Sequence, residues 1–139
     1  MSGKVLITGG AGFIGLHLAR LLLNRGWHVH LVDNFTRGRN DQELETILDE
    51  EGITLSNVDL LNNKLTSKLG VDFEVIYHLA AIVGVAHVIG RPYSVLYDNM
   101  IMLANVISLA RQQKSLNRLV FSSTSEVYAG TLQYFNLIF

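Results

Sequence analysis

The fold is decided by residues 4–15, Lys4-Val5-Leu6-Ile7-Thr8-Gly9-Gly10-Ala11-Gly12-Phe13-Ile14-Gly15. A short apolar run stops at a threonine and a cluster of glycines. Bounded in this way, Lys4 to Thr8 is predicted to be a buried strand. Directly after the glycines, Phe13 to Arg25 carries Ile14, Leu18, Leu21 and Leu22 at helical spacing. Gly26 stands where a helix C-terminal cap belongs. The stretch is therefore a strand, a glycine turn and a helix in immediate succession.

Outward from this unit the same alternation continues. His28 to Asp33 reads as a second strand, and Asn40 to Glu51 as a helix with Leu44, Ile47 and Leu48 on one face. Ile53 to Val58 is a third strand, Leu61 to Leu69 a short helix or helical loop, and Glu74 to Leu79 a fourth strand. After the Arg91-Pro92 break, Tyr93 to Gln113 is the longest helix, and Arg118 to Ser122 is a fifth strand. Strands alternating with helices predict an α/β fold, a doubly wound parallel sheet with helices on both faces. Right-handed crossovers favour the Rossmann-type strand order 3-2-1-4-5, here with about five strands and so incomplete. Residues 1–139 are expected to form a single domain, without internal repeats, linkers or low-complexity stretches.

Composition agrees. Of the 139 residues, 49% are hydrophobic and 17% charged, and the net charge is −1. The chain can bury a sizeable core, and its charge gives no reason to expect nucleic acid or an anionic membrane as partner. The absence of cysteine excludes disulfides and thiolate metal sites. The apolar stretch from Val5 to Leu23 could pass for a signal anchor. Its glycines, His17 and Arg20 are better explained by strand, turn and helix, and a cytoplasmic location is the expectation.

The spacing Gly10-x-Gly12-x-x-Gly15 between a strand and a helix is the fingerprint of a dinucleotide site. Gly12 lets the backbone approach a pyrophosphate, and Gly15 lets the helix pack closely. The helix N-terminus, at Phe13 and Ile14, offers N–H groups and a positive dipole end to phosphates. Asp33 ends the second strand 18 residues after Gly15, where an acid accepts the adenosine-ribose hydroxyls. That acid repels a 2′-phosphate, which favours NAD over NADP, although Arg37 and Arg39 would offset the repulsion. Asp59 and Leu60, after the third strand, are placed to contact adenine, and Asp59 alone reads equally well as a helix cap. His28 and His30 alternate on one strand face, but no third metal ligand is evident, and they are read as strand-end or core residues. No metal site is expected.

Together, Thr8-Gly9-x-x-Gly12-x-x-Gly15, Asp33-Asn34-Phe35 with Gly38-Arg39, His78-Leu79-Ala80-Ala81, Asn99 and the run Ser122-Ser123-Thr124-Ser125-Glu126-Val127-Tyr128 resemble the extended short-chain dehydrogenases. These are the NAD-dependent epimerase/dehydratase family acting on nucleotide sugars. The resemblance covers nearly the whole chain in order. It implies NAD as cofactor, held by Gly9, Gly12, Phe13, Ile14, Gly15, Asp33, Asn34, Asp59, Leu60, Leu79, Ala80, Ala81, Asn99 and Ser122. Asn99 shares a helical face with Leu96, Leu103, Val106 and Ala110, and the family implies that it orders the nicotinamide end. A core amide satisfied by nearby backbone is the other reading. His78 is expected to be structural. Thr124 is implied to hydrogen-bond the sugar hydroxyl being oxidised, with Glu126, beside Ser125, as acid or base in the following step. Thr124-Ser125-Glu126 is more similar to the UDP-glucuronate decarboxylase and GDP-mannose dehydratase branches than to simple 4-epimerases, without deciding between them.

The family's catalytic base is a tyrosine followed four residues later by a lysine. This sequence holds no Tyr-x-x-x-Lys, and its last lysine is Lys114. The resemblance therefore implies the N-terminal portion of a nucleotide-sugar enzyme, with the substrate domain absent and no activity alone. A stand-alone NAD-binding or regulatory module and half of a split enzyme are the alternatives. The resemblance implies dimers packed through the long helix, and an open edge at the fifth strand beside the apolar tail is expected to favour a homodimer or other self-association.

Overall fold

A computed structural model describes residues 3–37, 42–84 and 89–124. Its elements in chain order are β1 (Lys4–Thr8), α1 (Phe13–Leu23), β2 (His28–Asp33), α2 (Gln42–Leu48), β3 (Ile53–Asn57), α3 (Asn63–Thr66), β4 (Val75–His78), α4 (Pro92–Arg111) and β5 (Arg118–Phe121). The five strands form one sheet in the order β3-β2-β1-β4-β5, each neighbouring pair parallel. The predicted strand order is the one observed. Among the described residues no helix is long and apolar enough to cross a membrane.

Strand β1 shows why the sheet is covered on both faces. Val5 and Ile7 join one core with Leu16, Ala19 and Leu22 of α1 and Leu44 and Ile47 of α2. Between them, Leu6 enters a second core on the other face, with Phe73, Ile76, and Met102, Val106 and Leu109 of α4. Alternate residues of a strand point to opposite faces, so the middle of this central strand, covered on both sides, is apolar at each of Val5, Leu6 and Ile7.

Element ends are shorter than the sequence suggests. Helix α1 stops at Leu23 rather than Arg25 because Gly26 takes a positive φ of 79°. There its N–H donates to Leu23 O, while Trp27 N–H reaches back to Leu22 O. This is a glycine-closed helix terminus. Val58, Glu74, Leu79 and Ser122 fall just outside the strands expected to contain them, yet each still donates a backbone hydrogen bond to the neighbouring strand. Helix α2 spans Gln42–Leu48 against an expected Asn40 to Glu51, and residues 38–41 lie outside the described residues.

Helix α4 corrects one expectation. Its buried face runs through Val95, Met102, Asn105, Val106, Leu109 and Ala110, while Leu96 is 61% exposed. Of the expected stripe, Val106 and Ala110 are buried, Asn99 and Leu103 are half-buried at the margin, and Leu96 faces outward. The helix is apolar on two sides, so its periodicity admits more than one buried face. Tyr93, Leu96, Tyr97, Met100 and Ile107 form the second, outward stripe.

Candidate functional site

The glycine loop leaves β1 and returns at once into α1. Gly9 has φ 69°, and a Cβ there would lie 2.9 Å from the Ala80 nitrogen. A Cβ on Gly15 would lie 2.5 Å from the Gly9 carbonyl oxygen and 2.8 Å from Gly10 Cα. Gly15 is therefore needed where the first turn of α1 meets the loop's own backbone, a closer contact than packing against the strand. Helix α1 begins with Gly12 as its N-cap, without a side-chain cap bond and without an acidic residue in the first turn. Its first N–H groups have no intrahelical acceptor, and the helix itself brings no acidic side chain to the positive end of its dipole.

Asp33 fixes the loop beside β2. One carboxylate oxygen accepts the Ala11 N–H at 3.0 Å and the other the Phe35 N–H at 2.8 Å. Asn34 repeats the turn by accepting the Thr36 N–H at 3.1 Å. Between them Phe35 sits at φ 57°, a left-handed conformation unusual for an aromatic residue, with its ring against the α1–α2 core.

Two further loops face the first. After β3, Asp59 accepts the Leu61 N–H at 3.0 Å, and Asn62 caps α3 by accepting from Leu65 N–H. After β4, Thr8 Oγ1 and His78 Nδ1 are hydrogen-bonded at 2.7 Å, and the same hydroxyl accepts the Ala80 N–H at 3.3 Å. Next along this loop, Asn99 of α4 accepts the Ile82 N–H at 2.8 Å and donates to the Ile82 carbonyl at 3.1 Å. Both functions of the amide are thus used by one residue's backbone. Arg37 donates to Val83 O at 3.2 Å and joins the loop after β2 to the loop after β4.

These loops enclose a cleft of about 680 Å³ at the carboxyl edge of the sheet. Of the residues expected at a cofactor, Gly9, Gly12, Phe13, Asp33, Asn34, Asp59, Leu60, Leu79, Ala80 and Ala81 line it. Ile14, Gly15, Asn99 and Ser122 do not. Gly15 and Asn99 act one step behind the wall, while Ser122 is exposed at the end of β5 and donates its N–H to His78 O. Thr124 is likewise exposed and off the cleft lining. Ser125 and Glu126 lie outside the described residues. The lining also includes Val58, Leu61, Ile82, Val83, Arg91, Asp98 and Met102, which sequence reasoning missed. Val58, Leu61 and Ile82 adjoin predicted residues, and Val83 follows Ile82 along the same loop after β4. Arg91, Asp98 and Met102 are brought in by α4 from far along the chain, and no local signal marks them.

Burial pushes the His78 imidazole down to about 4, so the ring is neutral at physiological pH and serves as the structural partner expected of it. His30 is lowered too, by burial first and then by Lys4, against an opposing contribution from Asp72. Its two ring nitrogens pair with Ser56 and Thr54 hydroxyls at 2.9 and 2.8 Å, whereas His28 is exposed. Pairing of this kind makes His30 a sheet residue.

The profile of the NAD dependent epimerase/dehydratase family matches residues 5–134. The chain belongs to this family. The family member is 36% identical over 128 residues to the UDP-N-acetyl-alpha-D-glucosaminuronate decarboxylase of Bacillus cytotoxicus, covering 92% of this chain and 38% of that protein. It is 37% identical over 125 residues to UDP-glucuronic acid decarboxylase 1 of Danio rerio, covering 90% of this chain and 28% of that protein. Among solved structures, the UDP-Glc/GlcNAc 4-epimerase of Campylobacter jejuni superimposes with a TM-score of 0.82 at 28% identity, over 91% of this chain and 39% of that one. A UDP-glucose 4-epimerase of Thermus thermophilus, in complex with NAD, gives 0.73 at 31% identity, over 87% of this chain and 37% of that one. The family member thus spans 28 to 39% of the length of these relatives.

Proposed function

We propose that these 139 residues form the NAD-binding domain of a nucleotide-sugar epimerase, dehydratase or decarboxylase. One observation carries the reading: the glycine loop, Asp33 and the Asp59–Leu61 turn, remote in sequence, converge on a single cleft at the carboxyl edge. Its volume is in the range of small-molecule and cofactor sites, and its chemistry fits NAD. The uncapped N-terminus of α1 with the N–H groups at Phe13 and Ile14 would hold the pyrophosphate. Asp33 keeps lone pairs beyond its two backbone bonds for the ribose hydroxyls, and its charge disfavours a 2′-phosphate. Asp59 and Leu60 would flank the base. The loop from Leu79 to Ala81, held by Thr8 and Asn99, would form the opposite wall. The family names of the relatives support a nucleotide sugar as substrate.

When bound, NAD supplies a hydride acceptor for a sugar carbon. By resemblance, Thr124 would orient the sugar hydroxyl, with Ser125 and Glu126 beside it and Glu126 moving a proton in the next step. The sequence contains no Tyr-x-x-x-Lys, so the reading assigns no acceptor for the hydroxyl proton and expects no turnover by this chain alone. Calorimetric titration with NAD and NADP tests the cofactor reading, which fails if neither binds. Incubation with NAD and UDP-, GDP- and dTDP-sugars, followed by product chromatography, tests the second part. Authentic turnover would show that another group is the base.

A further inference from the structure

Helix α4 meets the cleft at Asp98 and Met102, and an asparagine stands three residues away on either side of Met102. Asn99 brackets the Ile82 backbone on one wall. Asn105, only 8% exposed, donates through Nδ2 to the Leu60 carbonyl at 2.7 Å, with the Leu61 carbonyl at 3.4 Å. The two amides are separated by about 9 Å along the helix axis and about 120° around it, so each holds the backbone of a different cleft loop.

The rest of the buried face of α4 is apolar apart from Asn105. Asparagine is a weak helix former, and burying an amide is costly unless it is bonded. The bond it makes is to the carbonyl of Leu60, which also accepts the Thr66 hydroxyl at a longer 3.5 Å. Leu60 adjoins Asp59, and both line the cleft. We infer that Asn105 is a positioning residue for the base of the dinucleotide: through the Leu60 carbonyl it sets the Asp59–Leu61 turn at a fixed distance from the Ile82 wall, so that the Asp59 carboxylate meets a purine edge carrying a donor. This rests on the reading of the cleft as a dinucleotide site. Adenine offers its 6-amino group as that donor. Hypoxanthine offers only a carbonyl oxygen at the same position, which a carboxylate repels.

The test titrates NAD and nicotinamide hypoxanthine dinucleotide into the wild type, Asn105→Leu and Asn105→Ser, with thermal unfolding as the check of folding. Leu keeps the branching and the number of heavy atoms, is bulkier, and removes the donor. Ser is the gentler variant and decides the matter if Leu does not fold, because its hydroxyl bonds back within its own helix. The wild type is expected to prefer the adenine dinucleotide by about tenfold or more, as for one charge-assisted hydrogen bond. In the folded variants the preference should fall to within about threefold, through loss of the adenine affinity alone. A variant in which both affinities drop together and the ratio persists would overturn the inference, as would a wild type that does not discriminate. Wild type that binds neither dinucleotide would bring down the cleft reading itself.

Discussion

The Asp33 carboxylate and the Ala11 amide lie 3.0 Å apart, a bond that ties the end of β2 to the glycine loop. Asp33 therefore has a structural task before any ligand arrives. Ala11 is 5% exposed, so the amide would otherwise be left without a partner in a place water reaches poorly.

Asp33→Ala is expected to act twice. It should lower stability by roughly 1–3 kcal/mol, the cost of an unsatisfied buried donor. It should also weaken NAD binding by about 10- to 100-fold and relax discrimination against NADP. Asp33→Asn keeps an acceptor for Ala11 and should separate the two effects. Urea unfolding and titration with both cofactors measure them, and an unchanged NAD/NADP ratio in both variants would remove Asp33 from the ribose role.

Gly15→Ala should be among the most damaging single-atom additions. The new Cβ meets the Gly9 carbonyl oxygen at 2.5 Å, which is backbone and cannot swing aside. The loop must open, at a cost of about 1–3 kcal/mol, and dinucleotide affinity should fall with it. Gly26 has φ 79°, but a Cβ there would have nothing within 4 Å. Gly26→Ala should therefore cost only the left-handed strain, about 1 kcal/mol, and spare binding. Equal losses of binding in the two variants would contradict the assigned role.

Stability should fall on acidification from about pH 6.5 towards pH 4. His78 is held near 4 by burial, so below pH 6.5 the unfolded chain takes up a proton that the folded one refuses. The contribution is full above the unfolded value and is lost as pH falls through the folded one, roughly 3 kcal/mol in all. His30, also lowered, adds in the same direction. Urea unfolding at pH 7 and pH 4.5 should show the loss, and His78→Asn should reduce it. A mutant with the wild-type pH slope would mean that other groups carry the acid sensitivity.

Self-association is expected through the outward stripe of α4, where Tyr93 is 87% and Tyr97 65% exposed. Exposed apolar side chains set in one stripe would favour association. Light scattering over a dilution series should show a dimer or larger species. The double variant Leu96→Glu, Met100→Glu should shift it towards monomer while leaving the cleft intact. A wild-type monomer at high concentration would sink the expectation.

Residues close in sequence make most of the architecture legible. The run from Lys4 to Gly15 declares strand, tight turn and helix because its apolar period and its glycines are local signals, and the strand order follows from the handedness of short crossovers. Asp33 is legible at the cleft for the same reason: the end of β2 is a position along the chain as well as in space. The face of α4 that turns inward is not legible in this way. Both sides of that helix are apolar, and only packing against Leu6, Phe73 and Ile76 selects Met102, Val106 and Leu109 over Leu96 and Met100. That rotation brings Arg91, Asp98 and Met102 to the cleft and aims Asn99 and Asn105 at the backbones of two different loops. Local pattern determines where a chain turns and what it can bury. Which partner each side chain meets is decided only when distant segments compete for the same space.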